Sequence, residues 1–423
     1  MADNVTRRDV LKTAAATGAA LAVPRMVFAE SAPVMKIGVI GCGGRGSGAV
    51  ADHLAANPTA VLHAMADVFP DRLAGSHDNL KKALKDRIKV ADDMKFTGFD
   101  AYKKLLKTDV DLVILATPPG FRPWHLEAAV DAGKHIFMEK PVAVDGYGIQ
   151  KVIEASEKAK AKGLGIVAGT QRRHDLAYNE VIKRVHDGQI GDIVEMSCYW
   201  NQGGLWMNPR QPNWSDMEWQ LRNWLYFTWL SGDHIVEQHI HNIDVCLWAK
   251  GSHPVKATAL GGRQTRVDPA YGHIYDHFAV EYTFADGSRM HSYCRQQDGT
   301  PSNVSERING TKGVATSEDF GNVPIQIMGS NPFKWESSRK RPNPYMLEHL
   351  DLYNSIVAGK PLNEGRQVAE STMTAILGRL AAYSGQEITW EQAMATKRTM
   401  PEDWSFGHLP VPAVALPGSY KVE

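Results

Sequence analysis

Met35-Lys36-Ile37-Gly38-Val39-Ile40-Gly41-Cys42-Gly43-Gly44-Arg45-Gly46 joins a short apolar run to the glycine pattern GxGxxG. The run Lys36–Gly41 reads as a buried strand, and the residues after the glycines read as a helix reaching about Asn57. In that setting each glycine has a task. Gly41 permits the tight turn, Gly43 and Gly44 leave room for a pyrophosphate, and Gly46 allows the helix to lie close to the strand. The helix N-terminus then offers free N–H groups and the positive end of its dipole to the phosphates, with Arg45 beside them. Working outward, Val61–Asp67 is a second strand, Phe99–Leu106 a short helix, Leu112–Ala116 a continuous apolar strand, Trp124–Ala132 a helix and Lys134–Glu139 another strand. Alternating strands and helices with apolar runs of this kind define an α/β protein built on a doubly wound parallel sheet.

Asp67 ends the second strand about twenty residues beyond the glycines, where a carboxylate accepts hydrogen bonds from the adenosine ribose. The same charge repels a 2′-phosphate, so the sequence favours NAD over NADP, with Arg72 as a counterweight. Thr117 and Pro118 follow the Leu112–Ala116 strand, on the edge where ligands of such sheets bind, and are expected to border the nicotinamide half.

Ahead of the strand, Thr6-Arg7-Arg8-Asp9-Val10-Leu11-Lys12, the weakly apolar Ala14–Val23 and the compact Val27-Phe28-Ala29 have the order of a twin-arginine export signal cut after Ala29. Residues 1–33 are therefore set apart from the fold. Export predicts a periplasmic or otherwise extracytoplasmic bacterial protein that meets the twin-arginine machinery. Free NAD(P) is scarce in such a compartment, so a tightly held cofactor regenerated within the catalytic cycle is expected. Later in the chain no apolar run is long enough to span a bilayer, and stable membrane insertion is not expected. Forty-seven basic residues balance forty-seven acidic ones, which gives no electrostatic reason to expect nucleic acid as a partner. Cys42, Cys198, Cys246 and Cys294 are widely spaced and demand no disulfide.

After about residue 160 the texture changes. Strand-like stretches at Ile193–Trp200, Ala257–Gly262, Phe278–Phe284 and Met290–Arg295, with turns such as Asp286-Gly287, predict an α+β domain with a large, open, mostly antiparallel sheet. Tyr345–Ala358 and Ala369–Ser384 read as helices. The division is residues 1–33 for export, 34–160 for the nucleotide domain, 161–385 for the substrate and oligomerisation domain, and 386–423 for a proline-punctuated arm.

Glu139-Lys140-Pro141 ends a strand on the same edge as Thr117-Pro118-Pro119. With the glycine motif and the two-domain order, these residues resemble the Gfo/Idh/MocA oxidoreductases, the glucose-fructose oxidoreductase and inositol dehydrogenase family, over about residues 35 to 385. The resemblance implies a Rossmann N-terminal domain, a carbohydrate substrate, a Lys140 that touches both cofactor and reacting hydroxyl, an orienting Glu139, and a Lys140–Pro141 bond that is commonly cis. It also implies an acid and a histidine four residues apart on one helix face. Glu237 and His241 fit best, with His234 one turn earlier; the family usually has Asp where Glu237 stands. His241 is then the acid–base partner of Lys140. His234, Glu237 and His241 can share a face around a divalent ion, but the spacing is not HExxH and the family works here without metal, so no metal is expected.

Arg172, Arg173 and His174 occupy a segment that lines the substrate pocket in the family. Six of the chain's 11 tryptophans follow between Trp200 and Trp229. Rings interleaved with polar donors suit sugar faces, so Trp206 and Tyr226 are expected in a substrate-covering loop. The family habit of pairing the open sheet predicts a homo-oligomer, dimer or tetramer. The leading functional expectation is an exported sugar oxidoreductase with resident NAD. The alternative is a redox-neutral glycosidase, lyase or epimerase using transient oxidation, with Lys140, His241 or Tyr178 driving elimination. A sugar-binding protein with a relic nucleotide fold is a third reading, which the intact Glu139-Lys140-Pro141, Asp67 and His241 disfavour.

Overall fold

A computed structural model describes residues 34–318, 324–336 and 341–423; the export signal read at residues 1–33 lies outside the described residues. The first sheet has six strands: β1 (Lys36–Ile40), β2 (Val61–Asp67), β3 (Lys95–Thr97), β4 (Leu112–Leu115), β5 (His135–Met138) and β6 (Ile166–Ala168). They run in parallel in the order β3-β2-β1-β4-β5-β6. All four side chains of β4 are withdrawn from water, as a central parallel strand covered on both faces requires. Sheet order reverses between β1 and β4, and loops after these strands diverge to open a crevice there. The segment expected to open the second domain is β6, the last strand of the first sheet, so the division expected at 160/161 falls inside this sheet's connections.

Among the described residues the second sheet has nine strands: β7 (Ile193–Gln202), β8 (Lys256–Gly262), β9 (His277–Thr283), β10 (Arg289–Gln296), β11 (Asn303–Gly310), β12 (Gly313–Glu318), β13 (Gln326–Gly329), β14 (Phe333–Lys334) and β15 (Ile388–Thr389). Their order is β14-β13-β12-β11-β7-β10-β9-β8-β15. Every pairing is antiparallel except that of β7 with β10. Met196, Cys198 and Trp200 of β7 alternate inward. Helices Ile240–Lys250 and Gly365–Ser384 cover that inner face. The latter passes so close to β9 that a Cβ on Gly378 would lie 2.2 Å from the Tyr282 hydroxyl. All four cysteines are buried free thiols.

The residues expected to form a separate arm from 386 are integrated into this body. They begin as β15 on the sheet edge. Further on, Trp404 meets Phe121 edge-on with centroids 5.0 Å apart, and the Ala415 carbonyl accepts from the Tyr275 hydroxyl at 2.9 Å.

Helix Gly44–Ala56, which carries the glycine loop, packs on helix Pro344–Val357. At their contact the Nδ1 atoms of His53 and His349 lie 3.4 Å apart, both rings buried. Burial, and then Arg87, lowers the His53 pKa to about 4; burial and the neighbouring His53 push His349 well below its ordinary value. Unfolded, both titrate near 6.5. As pH falls below about 6.5 the unfolded chain binds protons first, so the stability these neutral rings confer is lost progressively, on the order of 2–3 kcal/mol for His53 by about pH 4. Thermal unfolding should therefore show a midpoint falling steeply below pH 6.5. In a His53→Asn, His349→Phe double variant that slope should flatten; an unchanged slope would show that the acid sensitivity arises elsewhere.

Candidate active site

The crevice between β1, β2 and β4 is a cleft of about 500 Å³. Gly41 has φ +99°, and a Cβ there would come within 2.6 Å of the Ala116–Thr117 backbone; one on Gly46 would lie 1.9 Å from the Gly41 carbonyl oxygen. These two glycines bring helix, loop and β4 together. In contrast, a Cβ on Gly43 or Gly44 would meet nothing within 4 Å. Both border the cleft at a helix N-terminus, the open cradle that a pyrophosphate needs. Asp67 borders it too. Its carboxylate accepts from the backbone N–H groups of Cys42 (2.6 Å) and Phe69 (2.8 Å), while burial keeps its pKa above the usual carboxylate range. These residues fit a dinucleotide. Thr117 and Pro118 line the same cleft. The Thr117 hydroxyl lies 3.1 Å from Nδ1 of the buried His125, and the Thr117 carbonyl accepts from Arg122.

Arg45 borders the cleft, but its guanidinium is committed: Nε to Glu139 at 2.7 Å and a terminal nitrogen to Asp52 at 3.0 Å. The pair Arg45–Glu139 thus ties the glycine loop to the loop after β5. Glu139, expected to orient Lys140, holds Arg45, while the Lys140 ammonium group is held by Glu237.

Lys140 precedes a cis Lys140–Pro141 bond. Its Nζ donates to the Glu237 carbonyl at 2.5 Å and lies 3.2 Å from Oε1 of the same residue, both side chains about nine-tenths buried. The other Glu237 oxygen, Oε2, is buried without a hydrogen-bond partner. His241 is buried against Trp200, with near-parallel rings 5.6 Å apart. Burial, then the positive charges of Lys140 and Arg172, push its pKa well below the ordinary imidazole value. His241 is therefore neutral at neutral pH and competent to accept a proton.

Glu237 and His241 do not share one helix as expected. Helix His234–Glu237 ends there, and helix Ile240–Lys250 begins after a break. Lys140 takes the Glu237 carbonyl that the His241 N–H would use in a continuous helix. The break, not the i, i+4 ladder, brings acid, lysine and histidine together. His234 is left outside this group: its Nδ1 sits 2.9 Å from Asp233 and its ring packs near Phe278.

Other expected substrate contacts are occupied by the protein. Arg172 donates to Glu306 at 2.6 Å beside Trp200. Arg173 forms a two-pronged pair with Asp244 at 2.8 and 2.9 Å. His174 lies between Asp351 (2.6 Å) and Glu364 (3.3 Å), and despite burial these carboxylates raise its pKa to about 10. The Tyr226 hydroxyl is satisfied by the carbonyls of Trp206 (2.7 Å) and Leu205 (3.2 Å) in a fully buried side chain. Trp206 borders the cofactor cleft, not the Lys140 group. The tryptophan-rich segment contributes Trp206 and Trp224 to the wall of this cleft. Sequence reading missed Trp200 as the platform for His241, and Glu306 as the buried anion that holds Arg172. The inward register of β7 could have exposed the first; nothing in Asn303–Gly310 advertises the second.

A glycine-cradled cleft at the switch point of a parallel sheet, with Asp67 on its wall, is the site of a dinucleotide-binding protein. The comparisons agree. The profile of the Gfo/Idh/MocA oxidoreductase family, NAD-binding Rossmann fold, matches residues 35–166, and that of the Gfo/Idh/MocA C-terminal domain matches residues 178–316; the chain belongs to this family. A twin-arginine translocation signal matches residues 4–24, which assigns export. The chain is 26% identical over 295 residues to inositol 2-dehydrogenase of Rhizobium meliloti, covering 69% of this chain and 78% of that one. It is 31% identical over 215 residues to a glycosyl hydrolase family 109 protein of Streptomyces coelicolor, covering 45% of this chain and 43% of the other. The crystal structure of scyllo-inositol dehydrogenase from Lactobacillus casei with bound NAD(H) and scyllo-inositol superposes with a TM-score of 0.64 at 21% identity, over 85% of this chain and 99% of that one.

Removing the Asp67 carboxylate deletes charge-assisted hydrogen bonds worth about 1.5–3 kcal/mol. Asp67→Ala should weaken NAD binding by roughly 10- to 100-fold and narrow its preference over NADP, as titration of each nucleotide would show. Equal affinities in variant and parent would remove Asp67 from the ribose site.

Proposed function

We propose that this exported enzyme oxidises a ring hydroxyl of a sugar or cyclitol at the end of the NAD cleft, with His241 as proton acceptor and Lys140 as the cation that holds the hydroxyl oxygen. The observation that carries the reading is the pairing of a neutral, buried His241 with a Lys140 fixed by Glu237. NAD, when bound, supplies the acceptor for the hydride leaving the carbinol carbon. The hydroxyl proton moves to the free imidazole nitrogen of His241. Lys140 stabilises the negative charge that develops on oxygen, and the closed surroundings strengthen that interaction by excluding water. Glu237 fixes Lys140 at two points and retains one unpartnered carboxylate oxygen for a neighbouring hydroxyl. The departure from the family's usual Asp has a consequence: the longer side chain reaches the ammonium group itself.

Likeness to the family 109 glycosyl hydrolase protein favours a second reading, in which oxidation is transient and the adjacent C–H is then deprotonated so that a bond breaks without net redox change. Tyr178 is a poor base for that step, since its hydroxyl faces the buried Glu306 at 3.4 Å. The base would be His241 or Lys140.

Adding aldoses, cyclitols, sugar acids and glycosides to the mature protein, while following reduced-nicotinamide absorbance and product release, separates the two. A lasting absorbance change establishes net oxidation; product release without one establishes the redox-neutral course. Lys140→Met and His241→Asn should each lower kcat by at least about 100-fold while nucleotide binding persists. Because the folded His241 titrates below 6.5, the acid limb of kcat/KM should fall below that value and disappear in His241→Asn. An acid limb unchanged in that variant would assign the base elsewhere.

A further inference from the structure

We infer that the adenosine end of the cleft is latched by a stack of side chains drawn from three distant parts of the chain, and that the nicotinamide cofactor leaves only when this stack parts. The inference rests on reading the cleft as the NAD site.

Phe69 lies two residues beyond Asp67, and its ring borders the cleft. The Arg222 guanidinium sits 3.9 Å from the centroid of that ring, and Trp214 lies 5.0 Å from the same guanidinium. Phe406 stacks on Phe69 with centroids 5.8 Å apart and planes 22° from parallel, and is itself 5.1 Å from Phe99. The sequence Trp214, Arg222, Phe69, Phe406, Phe99 therefore runs from the tryptophan-rich segment across the nucleotide fold to the C-terminal segment. Trp206, Asn208 and Trp224 wall the cleft from the same side as Arg222 in the chain.

The stack is held at its charged member and at its far end. Arg222 reaches the two Asp71 oxygens at 3.0 and 3.1 Å and Glu218 at 2.9 Å. Asp71 stands in the first turn of the helix that follows β2, so this clasp crosses from the second half of the chain to the ribose-binding edge. The C-terminal segment is pinned to the helix that bears Arg222. The Gly407 carbonyl accepts from the Met217 N–H at 3.1 Å, the Leu409 carbonyl from the Gln220 side chain at 2.7 Å, and His408 meets Asp216 at 2.5 Å. Guanidinium–aromatic and ring–ring contacts are individually modest. Linked in series with a two-pronged ion pair, they must break together before adenosine can withdraw. A protein exported to a space poor in free NAD has a use for this slow step, because the cofactor installed before export then stays for many turnovers.

The test is the release rate of bound NADH from the full mature protein, measured by nicotinamide fluorescence after mixing with excess pyruvate and lactate dehydrogenase to consume what escapes. Phe406→Ala, at a half-exposed ring, and Asp71→Asn, at an exposed carboxylate, should fold as the parent does, which circular dichroism melting would verify. Release should accelerate at least ten-fold in Phe406→Ala and in Arg222→Ala, and by a smaller factor in Asp71→Asn. Leu416→Ala, in the same C-terminal segment but outside the stack, should leave the rate unchanged. Unaltered release in both Phe406→Ala and Arg222→Ala, or equal acceleration in Leu416→Ala, would overturn the latch while leaving the NAD site standing. Failure of the parent protein to bind NADH at all would overturn both.

Discussion

A lysine ammonium from the loop after β5 meets a glutamate from the second part of the chain, both almost out of water, and the candidate site is organised around that encounter. Removing two charges from water is costly, and the cost is offset only where geometry is good and remaining polar atoms are satisfied. Lys140 meets the geometric half of that demand by taking both the Glu237 side chain and its carbonyl, while Glu237 Oε2 stays unpartnered. Taking the carbonyl interrupts the helix, and the interruption sets where His241 enters. The same cation, together with burial, holds His241 neutral. One ion pair thereby holds the backbone at the break and helps keep the imidazole neutral that we propose as the base.

Behind the ion pair lies a second linkage of the same kind. Arg45 belongs to the glycine loop and Glu139 to the loop that presents Lys140, and their contact at 2.7 Å joins the nucleotide cradle to the segment that carries this lysine. Gly169 serves this arrangement by absence: a Cβ there would lie 2.4 Å from the Glu139 carboxylate. Close spacing of that order is how a parallel sheet delivers residues from several strand ends to one point.

The nucleotide half was legible because its signals are local. Apolar runs buried on both faces, glycines at fixed offsets and an acid at a strand end all state their purpose within a few residues. Long strands β7 to β10 were also legible through their alternation. What escaped depends on distant partners. Asn303–Gly310 is polar in composition and lies outside the expected strands, yet it is β11, and its buried Glu306 accepts from Arg172, Asn242 and Ser317. Arg173 and His174 look like substrate donors until Asp244, Asp351 and Glu364 come into place around them. The tryptophans announced a covering segment, but composition carries no information about which end of a cleft is covered. The continuous helix through Glu237 and His241 was the expected local choice, and the helix instead breaks where Lys140, from a distant loop, takes the Glu237 carbonyl.

Both proposed readings share one chemical event, the departure of a hydride from a sugar carbon beside Lys140 and His241. The most direct test is a single turnover of the mature protein with its active sugar deuterated at the carbinol carbon, followed by mass measurement of the nicotinamide recovered during the turnover. The account predicts one deuterium transferred from sugar to nicotinamide, strongly reduced in amount by Lys140→Met. Product formed with no deuterium reaching the nicotinamide would contradict it.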